Sequence, residues 1–278
     1  MPVASTAGVC ETSTMTIVLI AVLLYLAASA LLVRALGRND GVTSPAWLWP
    51  ALPAMLLHGG YHVLVAMRTT GGPDMHFFAA LSLVGLGMAW LTSLVGARGR
   101  MSTLGVVVFP LAALLLVVYH GYGHEPSKVL GWRLASHAWL ALLAYATLSI
   151  AALLAIMLWL QERALRRREF RPWLRALPPM ADLESLLFRV ITVGFALLTL
   201  TLVTGVLFVD DLLAQKLVHK TVLSVLSWIV FGVLLIGRRR YGWRGTKAVH
   251  WTLTAMLLLL LAFFGSQFVI ELVFGHSR

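Results

Sequence analysis

Long apolar stretches alternate with short polar segments along the whole chain. A helix needs about 20 such residues to cross the hydrocarbon core of a bilayer. A helix also satisfies its own backbone hydrogen bonds in lipid, and stretches this long favour helices over the strands of a barrel. The pattern predicts eight membrane-spanning helices, at residues 16–36, 46–67, 76–96, 103–119, 134–160, 184–208, 218–237 and 248–272. We therefore expect an all-α, polytopic membrane helix bundle.

The composition supports this fold class. Hydrophobic residues make up 60% of the 278 residues and charged residues only 12%, whereas about a quarter of the residues in a soluble domain are charged. The longest predicted loop, residues 161–183, begins as an extension of the fifth helix and is then broken by prolines. It is too short for a soluble domain, so a single transmembrane domain is expected over residues 1–278.

The distribution of Lys and Arg predicts the orientation. Cytoplasmic loops carry an excess of these residues. One set of alternate loops holds fifteen and the other set six, which predicts both termini on the outer side of the membrane. The net charge of +11 then reflects orientation and attraction to anionic membrane lipids. Nucleic acid is not an expected partner, because the basic residues are split among loops.

Sites that depend on cysteine or on common catalytic motifs are excluded. The single cysteine, Cys10, allows neither an internal disulfide nor a Cys-x-x-Cys motif. No nucleophile elbow or phosphate-binding loop occurs. The sequence therefore does not indicate an enzyme.

Histidines provide the candidate chemistry. In the predicted topology, eight of the nine lie on the outer side or in the outer half of a helix. A histidine at the end of a span is also an ordinary interfacial residue, and that alternative stays open. Imidazoles at one depth on facing helices are, however, suited to hold a haem iron axially. The eight are His58, His62, His76, His120, His124, His137, His219 and His276.

His58 and His62 form a pair within the second span. Their i, i+4 spacing places both imidazoles on one helix face. Gly59 and Gly60 between them allow a helix or a flat ligand to approach closely. No cysteine or paired carboxylate completes a zinc site around the pair. Both a proton site and a divalent-metal site remain as alternatives.

The later helices resemble a known family. The segment SHAWLALLAYATLSIAALLAIMLWLQE, which begins at Ser136, is similar to a helix of the CcsA/ResC-type cytochrome c assembly proteins. The segments LSVLSWIVFGVLLIGRRRYGWRG and AFFG resemble that family's later helices. The resemblance covers residues 130–270 well, and the chain is most similar to the shorter YpjD-like and HemX-like branch.

The resemblance implies how the histidines function. In the family, a tryptophan-rich outer segment presents haem between two periplasmic histidines, and histidines within the membrane hold haem earlier. His137 matches the first periplasmic histidine and His276 lies near the second. The family's WDPKE-like stretch is replaced by KLVHKT, in which Lys220 matches the lysine. The family's histidine near the inner end of that helix is absent, with Ile236 and Gly237 in its place.

We therefore expect a haem-binding or haem-handling membrane protein. His137 and His219, or less favourably His276, are the expected axial ligands of the haem iron. His58 and His62 would form a deeper, transient site. Lys216, Lys220 and Arg133 would pair with the haem propionates.

Two alternatives involve no haem binding. One is an accessory subunit of a membrane partner such as a CorC/CNNM-type divalent-cation transporter. The other is a HemX-like regulator of tetrapyrrole synthesis.

Overall fold

The computed structural model describes residues 4–37, 45–68, 75–97, 100–122, 131–168, 178–208 and 218–268. In these ranges the secondary structure is helical, with short 3-10 turns at Pro45–Trp47 and Arg100–Leu104. The α-helices are α1 (Ala4–Gly37), α2 (Leu48–Arg68), α3 (Phe77–Gly96), α4 (Gly105–Gly121), α5 (Trp132–Arg166), α6 (Met180–Phe208), α7 (Val218–Tyr241) and α8 (Gly245–Phe268).

These eight helices lie where the apolar pattern predicts them, which confirms the all-α fold. Seven of the described helices are long and apolar enough to cross a membrane. α2 is not among the seven, and it is the helix that carries His58 and His62 with a proline, Pro53, inside it. Its helical structure is confirmed, and its crossing of the membrane stays a prediction. The chain is a multi-pass integral membrane protein, and the side on which its termini lie also stays a prediction.

The helices group into two compact units. The first contains α1 to α4 and the second contains α5 to α8. Many large apolar side chains on the helix surfaces are exposed, including Leu23 at 65% and Val206 at 67%. Such surfaces suit contact with lipid, where apolar side chains need no cover. The expectation of a single transmembrane domain stays a prediction.

In the first unit, α1 packs against α2 and α4, and α3 packs against α4 and α2. The fully buried aromatic side chains at the centre are Tyr25, Tyr61, Phe109 and Tyr119. Three of these four are tyrosines, whose hydroxyl groups need hydrogen-bond partners inside the protein. The core of this unit is therefore partly polar.

In the second unit, α5 packs along α6 and α8, and α7 packs along α8. Polar side chains cross between helices to backbone carbonyl groups. Tyr145 donates to the carbonyl of Leu259 over 2.9 Å, and Ser227 donates to that of Ala255 over 2.7 Å. Such bonds fix the relative position of helices in lipid, where apolar contact alone gives no driving force.

Candidate functional site

His137 lies near the start of α5 and faces α6. Its side chain is half-buried, and its Nδ1 lies 3.1 Å from the hydroxyl oxygen of Thr204. The next residue of α6, Gly205, leaves room for the ring, because a Cβ built there would lie 3.2 Å from the Cε1 of His137. The contact between α5 and α6 therefore holds the imidazole in one orientation.

Thr204 also lies within hydrogen-bonding distance of its own helix. Its hydroxyl is 2.9 Å from the backbone carbonyl of Leu200 and 3.0 Å from that of Thr201. When the hydroxyl proton is donated to one of these carbonyls, the Thr204 oxygen accepts from Nδ1 of His137 and the lone pair lies on Nε2. An imidazole in this tautomer binds a metal through Nε2.

Two exposed tryptophans lie at the same end of α5 as His137, on other sides of the helix from the imidazole. Trp132 is 73% exposed and Trp139 is 44% exposed. The guanidinium of Arg133 lies 5.6 Å from the centre of the Trp132 ring, and Trp132 also contacts Phe208 edge to face. A flat apolar surface and a cation are thus both within a few residues of the imidazole.

The other predicted ligands of this site fall in different places. His219 is exposed and Lys220 is half-buried in the first turn of α7. In the described part of the chain, no hydrogen bond or ring contact joins His219 to His137. Lys216 and His276 lie outside the described residues. The pairing of His137 with either histidine stays a prediction.

α2 contributes a second group of histidines, in the first unit. His58 is fully buried, and its Nε2 lies 2.8 Å from the Oγ of Ser82 on α3. His62 reaches the same oxygen over 3.0 Å, and the two imidazole rings stack at 5.5 Å. On the other side of His58, Nδ1 lies 3.2 Å from the hydroxyl of Tyr25 on α1. We call Tyr25, His58, Ser82 and His62 the histidine–tyrosine network.

The network is a chain that can be oriented in either direction. Because Ser82 has one hydroxyl proton, it donates to one imidazole and accepts from the other. In both orientations the two nitrogens of His58 are engaged, so in this arrangement His58 has no lone pair left for iron. A function of His58 and His62 as a deeper haem site stays a prediction, and a change in these hydrogen bonds would have to accompany it.

Further rings extend the network along α2 and α4. His62 stacks on Tyr119 at 4.6 Å with the ring planes 5° apart. Tyr61 lies 2.8 Å from Nδ1 of His120, and His76 contacts Tyr119 at 5.7 Å. Four histidines of the first unit are thus placed close to one another through tyrosines and a serine.

The described histidines of the first unit do not form a metal centre by themselves. In the described residues, no group of three or more His, Cys, Asp or Glu side chains could hold a metal ion. The predicted histidines instead have hydrogen-bonding partners that a single sequence does not reveal. These partners are Tyr25, Ser82 and Thr204. Each is a polar residue inside an apolar stretch, which is the one signal that could have identified it.

These observations first define a class of protein: a multi-pass helical membrane protein with histidines held by hydrogen bonds in both of its helical units. The chain belongs to the family described as "Cytochrome C assembly protein", whose sequence profile matches residues 49–274. The resemblance found in the sequence is therefore confirmed.

Curated relatives fall within the same family. The chain is 30% identical to "Inner membrane protein YpjD" of Escherichia coli (strain K12) over 258 residues, which cover 92% of this chain and 98% of the relative. It is 31% identical to "Protein HemX" of Brevibacillus brevis over 134 residues, or 48% and 49% of the two chains. It is 24% identical to "Cytochrome c biogenesis protein CcsA" of Parasynechococcus marenigrum (strain WH8102) over 200 residues, or 64% and 65%. No solved structure matches the chain significantly.

Proposed function

We propose that the protein binds haem at the start of α5, with Nε2 of His137 as an axial ligand, and holds it as a carrier in the bacterial inner membrane. The observation that carries this proposal is the hydrogen bond between Nδ1 of His137 and the Thr204 hydroxyl. It orients the imidazole, and with the proton on Nδ1 the Nε2 lone pair is available to the iron. Ligating histidines in metal and haem sites commonly donate their other N–H in this way.

The surroundings of His137 suit the rest of a haem. Arg133 is exposed at the same helix end, where its guanidinium can pair with a propionate. His219 is the proposed second ligand, with His276 as its alternative, and Lys220 and Lys216 are proposed partners of the propionates.

The proposal assigns binding, and no reaction, to these residues. Bound haem would supply its iron, and the chain's own side chains would hold and orient the group. The CcsA relatives are named as cytochrome c biogenesis proteins, and this supports haem as the cargo.

The experiment is an absorption spectrum of protein purified from haem-replete cells. We expect a Soret band that is lost in His137→Ala and weakened in His219→Ala. His250→Ala is the matched control, because His250 is an exposed histidine at the opposite end of the second unit's helices, near the start of α8. Its band should equal that of the wild type.

A colourless wild-type protein, or a band that survives in His137→Ala, contradicts the proposal. A colourless protein that still folds would favour the accessory role beside a membrane partner or the HemX-like regulatory role.

A further inference from the structure

The chain turns back sharply between α7 and α8. α7 ends at Tyr241 and α8 begins at Gly245, and both helices are long and apolar enough to cross a membrane. The turn that joins them therefore lies at a membrane surface. Gly242 and Gly245 have φ angles of +63° and +55°, which suit glycine. The N–H of Trp243 donates to the carbonyl of Gly237 over 3.2 Å, so the turn is closed onto the end of α7.

Trp243 is the centre of an aromatic surface at this turn. Its ring packs on α7, where a Cβ built at Gly237 would lie 2.5 Å from it. It also contacts the rings of Trp251 at 5.2 Å and of Tyr241 at 6.4 Å. Tyr241 is 76% exposed. Amphipathic aromatic side chains favour the headgroup level of a bilayer, which is the level where the ends of the two helices place these rings.

Part of the positive charge at the turn is neutralised within the protein. The Oε1 of Glu184 on α6 accepts hydrogen bonds from Arg238 over 2.7 Å and from Arg244 over 3.3 Å. These two guanidinium groups therefore have a carboxylate as their partner.

Three further cations at the turn have no carboxylate partner. Arg239, Arg240 and Lys247 are exposed, and among the described residues no ion pair joins any of them to an acidic side chain. The residues on both sides of them in the chain, from α7 through α8, are described as well. The turn therefore carries an excess of positive charge that faces outward.

Two of these cations flank the aromatic surface. The ammonium of Lys247 lies 4.9 Å from the centre of the Trp243 ring. Arg240 lies about one helical turn beyond Gly237, on the side of α7 against which Trp243 packs. We call Arg240, Tyr241, Trp243 and Lys247 the turn patch.

We propose that the turn patch binds the phosphate of an anionic phospholipid headgroup. The N–H fork of arginine matches the oxygens of a phosphate, and the ammonium of lysine adds a point charge. Cations at a membrane surface are attracted to anionic lipids. Free phosphate shares this chemistry, but a turn between two membrane-spanning helices is always next to lipid, which favours the headgroup. The turn patch includes none of the residues of the proposed haem site.

Native mass spectrometry of the whole protein in a neutral detergent tests the proposal. Phosphatidylglycerol and an uncharged glycolipid with the same acyl chains are the two probes. We expect phosphatidylglycerol to be retained and the glycolipid to be lost. The double variant Arg240→Gln with Lys247→Gln should retain phosphatidylglycerol about tenfold less well, because two attractions to the headgroup are removed. Arg240→Lys with Lys247→Arg keeps both charges and should retain the lipid like the wild type.

The matched control is Arg189→Gln with Arg239→Gln. It removes the same charge from two exposed arginines of the second unit. Arg239 lies on the side of α7 opposite to Gly237, and Arg189 lies on α6, so the control should retain phosphatidylglycerol like the wild type. Since every substituted residue is exposed, each variant should fold, and an unchanged melting temperature verifies this.

Three results would overturn the proposal. Equal retention of the glycolipid would show that the phosphate is not recognised. An equal loss in the control variant would assign the effect to overall charge. Displacement of the lipid by inorganic phosphate at an equal concentration would assign the turn patch to the free anion.

Discussion

Two glycines of α6 determine how closely α5 approaches. A Cβ at Gly194 would lie 2.5 Å from the Cδ2 of Leu148, closer than real Cβ contacts occur. At Gly205 the corresponding contact is with His137. Small residues at helix interfaces in membranes allow backbones to come together in this way. The close approach of α5, and with it the orientation of His137, therefore depends on Gly194 and Gly205 having no side chain.

Gly194→Ala should destabilise the second unit. The added methyl group forces Leu148 out of its place, and overpacking of this kind costs about 1–3 kcal/mol. Thermal unfolding in detergent measures the loss. Gly60→Ala is the control, since nothing lies within 4 Å of a Cβ built there. It should leave the stability unchanged or raise it by up to about 1 kcal/mol through helix propensity, and equal losses in the two variants would contradict this account.

Ser82→Ala should destabilise the first unit. The substitution removes the shared partner of two imidazoles, and a buried polar group without its partner costs about 1–3 kcal/mol. Unfolding in detergent again provides the measurement. Ser136→Ala is the comparison, because the Ser136 hydroxyl bonds only to the nearby carbonyl of Arg133 in an exposed position. If Ser82→Ala lost less stability than Ser136→Ala, the shared hydrogen bonds of Ser82 would not be what stabilises the first unit.

Thr204→Val should weaken haem binding without unfolding the protein. The substitution removes the hydroxyl that shares a hydrogen bond with Nδ1 of His137, so the imidazole loses the contact that orients it. Loss of such a partner typically costs about 10- to 100-fold in affinity, which a haem titration followed by absorption measures. Thr192→Val is the matched control on α6, where the hydroxyl bonds to the Phe188 carbonyl. If Thr204→Val had an unaltered affinity for haem, Thr204 would not be part of the haem site.

At the scale of helices, one carboxylate joins α6 to the turn between α7 and α8. The Oε1 of Glu184 accepts from Arg238 over 2.7 Å and from Arg244 over 3.3 Å. Trp243 fills the space beside Gly237, where a Cβ would lie 2.5 Å from its ring. The guanidinium of Arg238 also lies 4.6 Å from the Phe188 ring. Ends of three helices are thereby held together.

Glu184→Gln should loosen this junction. A neutral amide accepts more weakly from the guanidinium groups, and hydrogen bonds to charged groups contribute about 1.5–3 kcal/mol when buried. Because Arg238 and Arg244 are partly exposed, we expect a loss near the lower end, measured as a fall in melting temperature. Asp182→Asn makes the same charge change at an exposed residue in the same turn of α6 and should have no effect. An equal fall in melting temperature in Asp182→Asn would show that negative charge at the start of α6, rather than the pairing of Glu184 with the two arginines, stabilises the protein.

The helices were predictable from sequence because each apolar stretch carries its own length and boundaries. α6 begins directly after Pro178 and Pro179, and α7 begins at the predicted residue, Val218. The partners of the histidines were not predictable, since they depend on which helices are neighbours. Ser82 and Thr204 contact histidines 24 and 67 residues away in the chain, and no periodicity within one helix encodes such a contact.

At the scale of the whole molecule, the arrangement of charges predicts the topology. Two exposed residues at opposite predicted sides, Arg133 at the start of α5 and Arg239 near the end of α7, allow a test. In a Cys10→Ser background, Arg133→Cys should react with a membrane-impermeant maleimide in intact spheroplasts. Arg239→Cys should react only after the membrane is permeabilised. The reverse labelling would invert the predicted orientation.

α5 runs for 35 residues, about 52 Å, without a glycine or a proline. That exceeds the hydrocarbon thickness of about 30 Å, so this single rod joins His137 to Glu162 near its other end, about 40 Å away. A stiff rod cannot shift at one end alone. Any ligand that moved α5 along its axis at His137 would therefore also move the contact between Glu162 and Thr246.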